Sequence, residues 1–88
     1  MLKKSMQIEL PHGLEARPVA ELVQVASKYN SRIYVELGTK RVNAKSIMGM
    51  MSLELDNGDR LIVSADGDDE QQAIAEIENF VGGHQIGA

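Results

Sequence analysis

No cysteine occurs among the 88 residues, so the chain has neither a disulfide framework nor a thiolate cage for a metal, and its fold must rest on packing. A long apolar run is missing as well. The N-terminus reads Met1-Leu2-Lys3-Lys4-Ser5 and then alternates, which predicts a cytoplasmic protein without a signal peptide or membrane span. Excess basic charge is absent: 9 Lys+Arg stand against 13 Asp+Glu, giving a formal net charge of -4. Direct nucleic-acid binding, which draws on a basic surface, is therefore not expected. Histidine is scarce, with only His12 and His84 far apart in the chain, so neither a zinc site nor a Cys-His nucleophile is supported. Gly13, Gly38 and Gly49 make no phosphate-cradling fingerprint, and no cofactor is implied. Repeats, linkers and low-complexity segments are lacking too. One domain over residues 1–88 is predicted, with a core too small to enclose a deep active site.

Apolar residues make up 43% of the chain, and their spacing outlines the elements. Met6, Ile8 and Leu10 alternate with polar neighbours as in a half-buried strand, which Pro11-His12-Gly13 ends. Val19, Leu22, Val23 and Ala26 recur with helical period, predicting a helix over about Ala16 to Lys28 with Pro18 tolerated in its first turn. Ile33, Val35 and Leu37 alternate, Gly38-Thr39 turns, and Lys40-Arg41-Val42-Asn43 returns as the second strand of a hairpin. Ser46 is placed to cap a short helix beginning at Ile47, and Asp56-Asn57-Gly58-Asp59 is a turn. Leu61, Val63 and Ala65 form a fourth strand. Asp68 with Gln71 has capping-box spacing before the stripe Ala73, Ile74, Ile77, Phe80 and Val81, which Gly82-Gly83 stops. The order β-α-β-β-α-β-α predicts an α+β fold, an open-faced β-sandwich with helices on one face of a four-stranded antiparallel sheet.

Two segments say more. Gly13-Leu14-Glu15-Ala16-Arg17-Pro18 resembles the active-site pattern of the HPr family, the histidine-containing phosphocarriers of the sugar phosphotransferase system, except that Glu15 stands in place of the histidine. Val42-Asn43-Ala44-Lys45-Ser46-Ile47-Met48-Gly49-Met50-Met51-Ser52-Leu53 resembles the regulatory site of Gram-positive members, in which the serine matching Ser46 is phosphorylated by HPr kinase/phosphorylase. The resemblance spans nearly the whole chain. Within the family it resembles the catabolite-repression branch of bacilli, in which the carrier histidine is likewise replaced, there by glutamine at the position of Glu15.

Glu15 decides the class of function. A phosphocarrier needs an imidazole nitrogen that can attack, hold and release a phosphoryl group, and a carboxylate offers none. Two readings of Glu15 stay open: an acidic residue favourable before the positive end of a helix, or a fixed charge where a carrier would gain one. Arg17, which the resemblance assigns to phosphohistidine stabilisation, is either a contact for Glu15 or another protein or a solvated first-turn cation. His12 is read as a solvated turn residue rather than a substitute acceptor.

A phosphate on Ser46 would bring about two negative charges and three acceptors to a helix start, with Lys45 and Arg41 close in sequence. About half of Ile47, Met48, Met50 and Met51 should point inward, leaving an exposed apolar patch beside a switchable charge. The resemblance implies a non-enzymatic regulator that binds the LacI-type repressor catabolite control protein A through Arg17, Ile47, Met48 and Met51. The alternative is a working phosphocarrier, native or carrying Glu15 as an engineered change, that would pass phosphate from enzyme I to a sugar-specific enzyme IIA.

Overall fold

Among the described residues, alternating and helical apolar patterns resolve into four strands and three helices. The computed structural model describes residues 1–9 and 16–82, apart from the side chains of residues 16–18. Its elements are β1 (Leu2–Gln7), α1 (Ala16–Ser27), β2 (Arg32–Leu37), β3 (Lys40–Asn43), α2 (Ile47–Met51), β4 (Arg60–Asp66) and α3 (Glu70–Val81). The strands form one antiparallel sheet in the order β1-β4-β2-β3, with Met6 opposite Leu61 and Val35 opposite both Val63 and Val42. This is the α+β arrangement expected from the sequence.

Burial follows the expected stripes. Val19, Leu22 and Ala26 of α1 and Ala73, Ile74, Ile77 and Val81 of α3 pack on Ile33, Val35, Leu61, Val63 and Ala65 of the sheet. Each large aliphatic side chain so buried contributes roughly 1.5–3 kcal/mol. The opposite sheet face keeps Lys3, Ser5, Arg32, Arg41 and Arg60 in solvent. Gly38 turns the β2–β3 hairpin with φ 62, a left-handed conformation that suits glycine.

The first strand departs from the alternation of Met6, Ile8 and Leu10. It begins at Leu2, because Lys4 takes the inward register between Leu2 and Met6 and carries its ammonium to Glu78 of α3 at 2.8 Å. Ile8 is fully buried but leaves the ladder, donating its N–H to the Asp59 carbonyl and accepting from Gly58, both at 2.8 Å. Glu9 N–H then donates to the Val81 carbonyl at the end of α3. Leu10 and the Pro11-His12-Gly13 turn lie outside the described residues.

The capping box of Asp68 and Gln71 does not form. Asp69 is the N-cap of α3 and makes no side-chain cap, because its carboxylate is taken by the turn before β2. Glu70 reaches back instead, accepting the Gly67 N–H at 3.1 Å. Helix α1 ends at Ser27, and Tyr29 beyond it donates its hydroxyl to Glu76 of α3. That carboxylate also accepts from Lys28 at 2.6 Å, which with the Tyr29 bond holds it below the ordinary glutamate range. The Tyr29 phenol is pushed up to about 12 by donating to Glu76, with burial and the carboxylate charge adding to the effect. Among the described residues no helix is long and apolar enough to cross a membrane.

Candidate functional site, the start of helix α2

Strand β3 delivers the chain to Ser46 through a tightly held link. Ala44 is fully buried and its N–H donates to the Ile33 carbonyl at 2.9 Å, extending the sheet beyond the last residue of β3. The Asn43 side chain accepts the Lys45 N–H at 2.8 Å, an Asx turn that bends the backbone out of the strand. Ser46 N–H donates to the Asn43 carbonyl at 3.0 Å. Extended backbone at Ser46, φ -106 and ψ 114, aims its hydroxyl back over the helix, where Oγ accepts the Gly49 N–H at 3.2 Å. This is the N-cap expected from the sequence.

Gly49 fits that cap closely. A Cβ at this position would stand 3.3 Å from Ser46 Oγ and 3.4 Å from Val42 Cβ. At the other end Ser52 Oγ donates to the Gly49 carbonyl at 2.6 Å, and Lys40 Nζ reaches the Ser52 carbonyl at 3.3 Å. A helix of five residues is too short to persist on its own, and here both ends are tied and one side chain is anchored.

That anchor is Met50, at 0% exposure, whereas Ile47 is 43%, Met48 81% and Met51 48% exposed. One of the four apolar residues points inward, rather than about half. The helix packs against α1 and β3, so a single face is buried and the other three side chains share the solvent side with the Ser46 hydroxyl.

The two cations near Ser46 in sequence are committed elsewhere. Lys45 Nζ donates to the Tyr29 carbonyl at 2.6 Å, closing the end of α1 against the α2 link. Arg41 lies over the Tyr34 ring at 4.1 Å and approaches Glu36 at 4.0 Å, on the open sheet face. Lys40, which drew no attention as a sequence feature, is the cation at the far end of α2. Its role depends on the hairpin turning back under the helix, which no local pattern announces.

The second candidate region is only partly described. Ala16, Arg17 and Pro18 form the first turn of α1 as backbone. His12, Gly13, Leu14, Glu15, the Arg17 side chain and His84 lie outside the described residues. Glu21 is exposed on α1. Among the described residues no group of three or more His, Asp or Glu side chains could hold a metal ion.

The family pattern described as the PTS HPr component phosphorylation site matches residues 2–82, nearly the whole chain. The chain belongs to the HPr family. Among curated relatives, the HPr-like protein Crh of Halalkalibacterium halodurans is 42% identical over 81 residues, covering 92% of this chain and 96% of the relative. The HPr-like protein Crh of Bacillus subtilis is 41% identical, covering 92% and 95%. Among solved structures, HPr-C-His from Thermoanaerobacter tengcongensis superposes with a TM-score of 0.89 at 44% identity, covering 97% of this chain and 99% of that one. The open-faced sheet and three helices are thus the HPr fold, and the capped serine lies on an HPr-family surface helix.

Proposed function

We propose that this HPr-family protein is a cytoplasmic regulator rather than an enzyme or a phosphocarrier. Ser46 receives a phosphoryl group from HPr kinase/phosphorylase, and the modified α2 face then binds catabolite control protein A as a corepressor. The reading rests chiefly on one observation: an exposed serine hydroxyl, accepting the Gly49 N–H, shares a surface with the exposed apolar side chains of Ile47, Met48 and Met51. In the transfer, Ser46 Oγ forms a bond to the γ-phosphorus of ATP, the bond to ADP breaks, and the hydroxyl proton leaves to a base on the kinase. The product keeps an acceptor beside the Gly49 N–H and adds about two negative charges. Because Lys45 and Arg41 are engaged elsewhere, that charge is offered outward to a partner's cations instead of being neutralised within the molecule. Arg17 is assigned to partner binding as well.

Glu15 supports the exclusion of carrier function, since it lacks the imidazole that phosphotransfer uses. The kinship with proteins named Crh supports the regulatory branch. Incubation with HPr kinase/phosphorylase and ATP should add one phosphate to the wild type and none to Ser46→Ala. Equal incorporation in both would overturn the assignment. Titration calorimetry against the repressor should show binding of the phosphorylated form only, and equal affinity of both forms would remove the switch.

A further inference from the structure

The methionines around Ser46 carry a second kind of chemistry. The chain has no cysteine, so its five methionine thioethers are the only sulfur available to a two-electron oxidant. Their settings divide sharply. Met6 and Met50 are core residues at 4% and 0% exposure, whereas Met48 and Met51 stand in solvent on α2. Met1 is also exposed, but it lies at the first residue, where its ammonium faces Asp66 and Glu70. Within one five-residue helix, then, two sulfurs are open to reagent and a third is sealed in the core.

We propose that Met48 and Met51 form an oxidative modification site, at which peroxide converts the apolar α2 face to a polar one while the core stays closed. The sulfur lone pair attacks one oxygen of hydrogen peroxide, and the O–O bond breaks. That oxygen becomes the sulfoxide oxygen, and the other leaves as water with both protons. Sulfur gives up two electrons and peroxide takes them. Reversal draws two electrons and two protons from a dithiol reductase and releases water. The sulfoxide is a strong acceptor on a face that would have to be desolvated on docking, so a partner that buries it without a donor is bound more weakly. This effect on docking rests on the regulatory reading of Ser46, whereas the selectivity of oxidation does not.

Limited hydrogen peroxide treatment followed by peptide mass mapping should place increments of about 16 Da on Met48, Met51 and Met1 before Met6 and Met50. Circular dichroism should stay unchanged, and the folded protein should elute earlier from a hydrophobic-interaction matrix. Oxidation of Met50 or Met6 at the rate of Met48, or unchanged elution after Met48 and Met51 are oxidised, would overturn the site. With the seryl-phosphorylated protein, peroxide should weaken repressor binding by about fivefold or more. The double variant Met48→Leu, Met51→Leu keeps apolar volume and retains Met1, so its own affinity for the repressor should be the same before and after peroxide. If that variant loses binding on oxidation, the effect lies elsewhere and the docking inference fails. If unoxidised phosphoprotein does not bind the repressor at all, the regulatory reading fails, while mapping and elution still decide the methionine site.

Discussion

Asp69 and Ser31 are joined twice, the Ser31 N–H donating to Asp69 Oδ1 at 3.0 Å and the Ser31 hydroxyl donating to the same oxygen. Asn30 N–H adds a third donor to Oδ2 at 2.8 Å. One carboxylate at the head of α3 therefore holds the turn between α1 and β2, and Ser31 is fully buried beneath it.

These donors hold the Asp69 carboxyl below its ordinary value of 3.8, with the Ser31 hydroxyl the largest cause and the Asn30 amide next. A carboxylate whose pKa is lower in the folded than in the unfolded state stabilises the fold above the unfolded value, and the contribution is lost as pH falls through the folded one. Stability should decline on acidification below about 3.8, with Glu76, also lowered, adding to the same limb. Urea unfolding as a function of pH should show a flatter acid limb in Asp69→Asn. Identical limbs in variant and wild type would show that this tie does not govern acid sensitivity.

Gly67 passes close to the same tie. A Cβ there would stand 2.6 Å from Ser31 Oγ and 2.7 Å from Ser31 Cα, and the backbone atom cannot turn aside as a side chain can. Gly67→Ala should destabilise the protein by about 1–3 kcal/mol, the usual range for overpacking. The denaturation midpoint of the variant measures this, and an unchanged midpoint would mean that the two loops can move apart freely.

The Tyr29 phenol is pushed up to about 12, chiefly because its hydroxyl donates to Glu76. The protonated phenol is favoured by folding, so its contribution is complete below 10 and is lost as pH rises through about 12. In a Tyr34→Phe background, phenolate absorbance should show the Glu76→Gln variant titrating closer to 10. A midpoint that does not move would place the cause of the shift elsewhere.

The role of Glu15 is tested by putting back what the family pattern contains. With enzyme I and phosphoenolpyruvate the wild type should remain unlabelled, and Glu15→His should gain one acid-labile phosphate, because Gly13, Ala16, Arg17 and Pro18 keep the rest of the pattern. Labelling of the wild type at a useful rate would restore the phosphocarrier reading.

Local signals carried the reading of the fold where they acted alone. The β2–β3 hairpin, the Ser46 cap and the α3 stripe each depend on residues within one element, and each lies where the spacing puts it. Failures came where a distant partner competes. Asp68 and Gln71 have capping-box spacing, but Asp69 is drawn to Ser31, 38 residues away in the chain. Lys4 hides the start of β1, since a charged residue breaks the apolar alternation and its ion pair with Glu78 of α3 is not visible in the local sequence. At α2, helical spacing alone could not show that Met50 by itself is the anchor, because which side of a five-residue helix is buried depends on its packing against α1 and β3. Lys45 is next to Ser46 in sequence, but its ammonium donates to the Tyr29 carbonyl, a partner that no local pattern marks.

The strand order has a consequence for how the chain reaches this structure. β1 pairs only with β4, so residues 2–7 wait for residues 60–66 before their hydrogen bonds can form. During synthesis this segment emerges well before its partner strand and is thus among the last to be seated. The β2–β3 hairpin, closed across Gly38-Thr39, forms quickly, whereas joining the two ends of the sheet carries the entropy of closing a loop of more than fifty residues. Until β4 arrives, Leu2 and Met6 have no sheet to join, and the charges of Lys3 and Lys4 disfavour pairing of that segment with another strand.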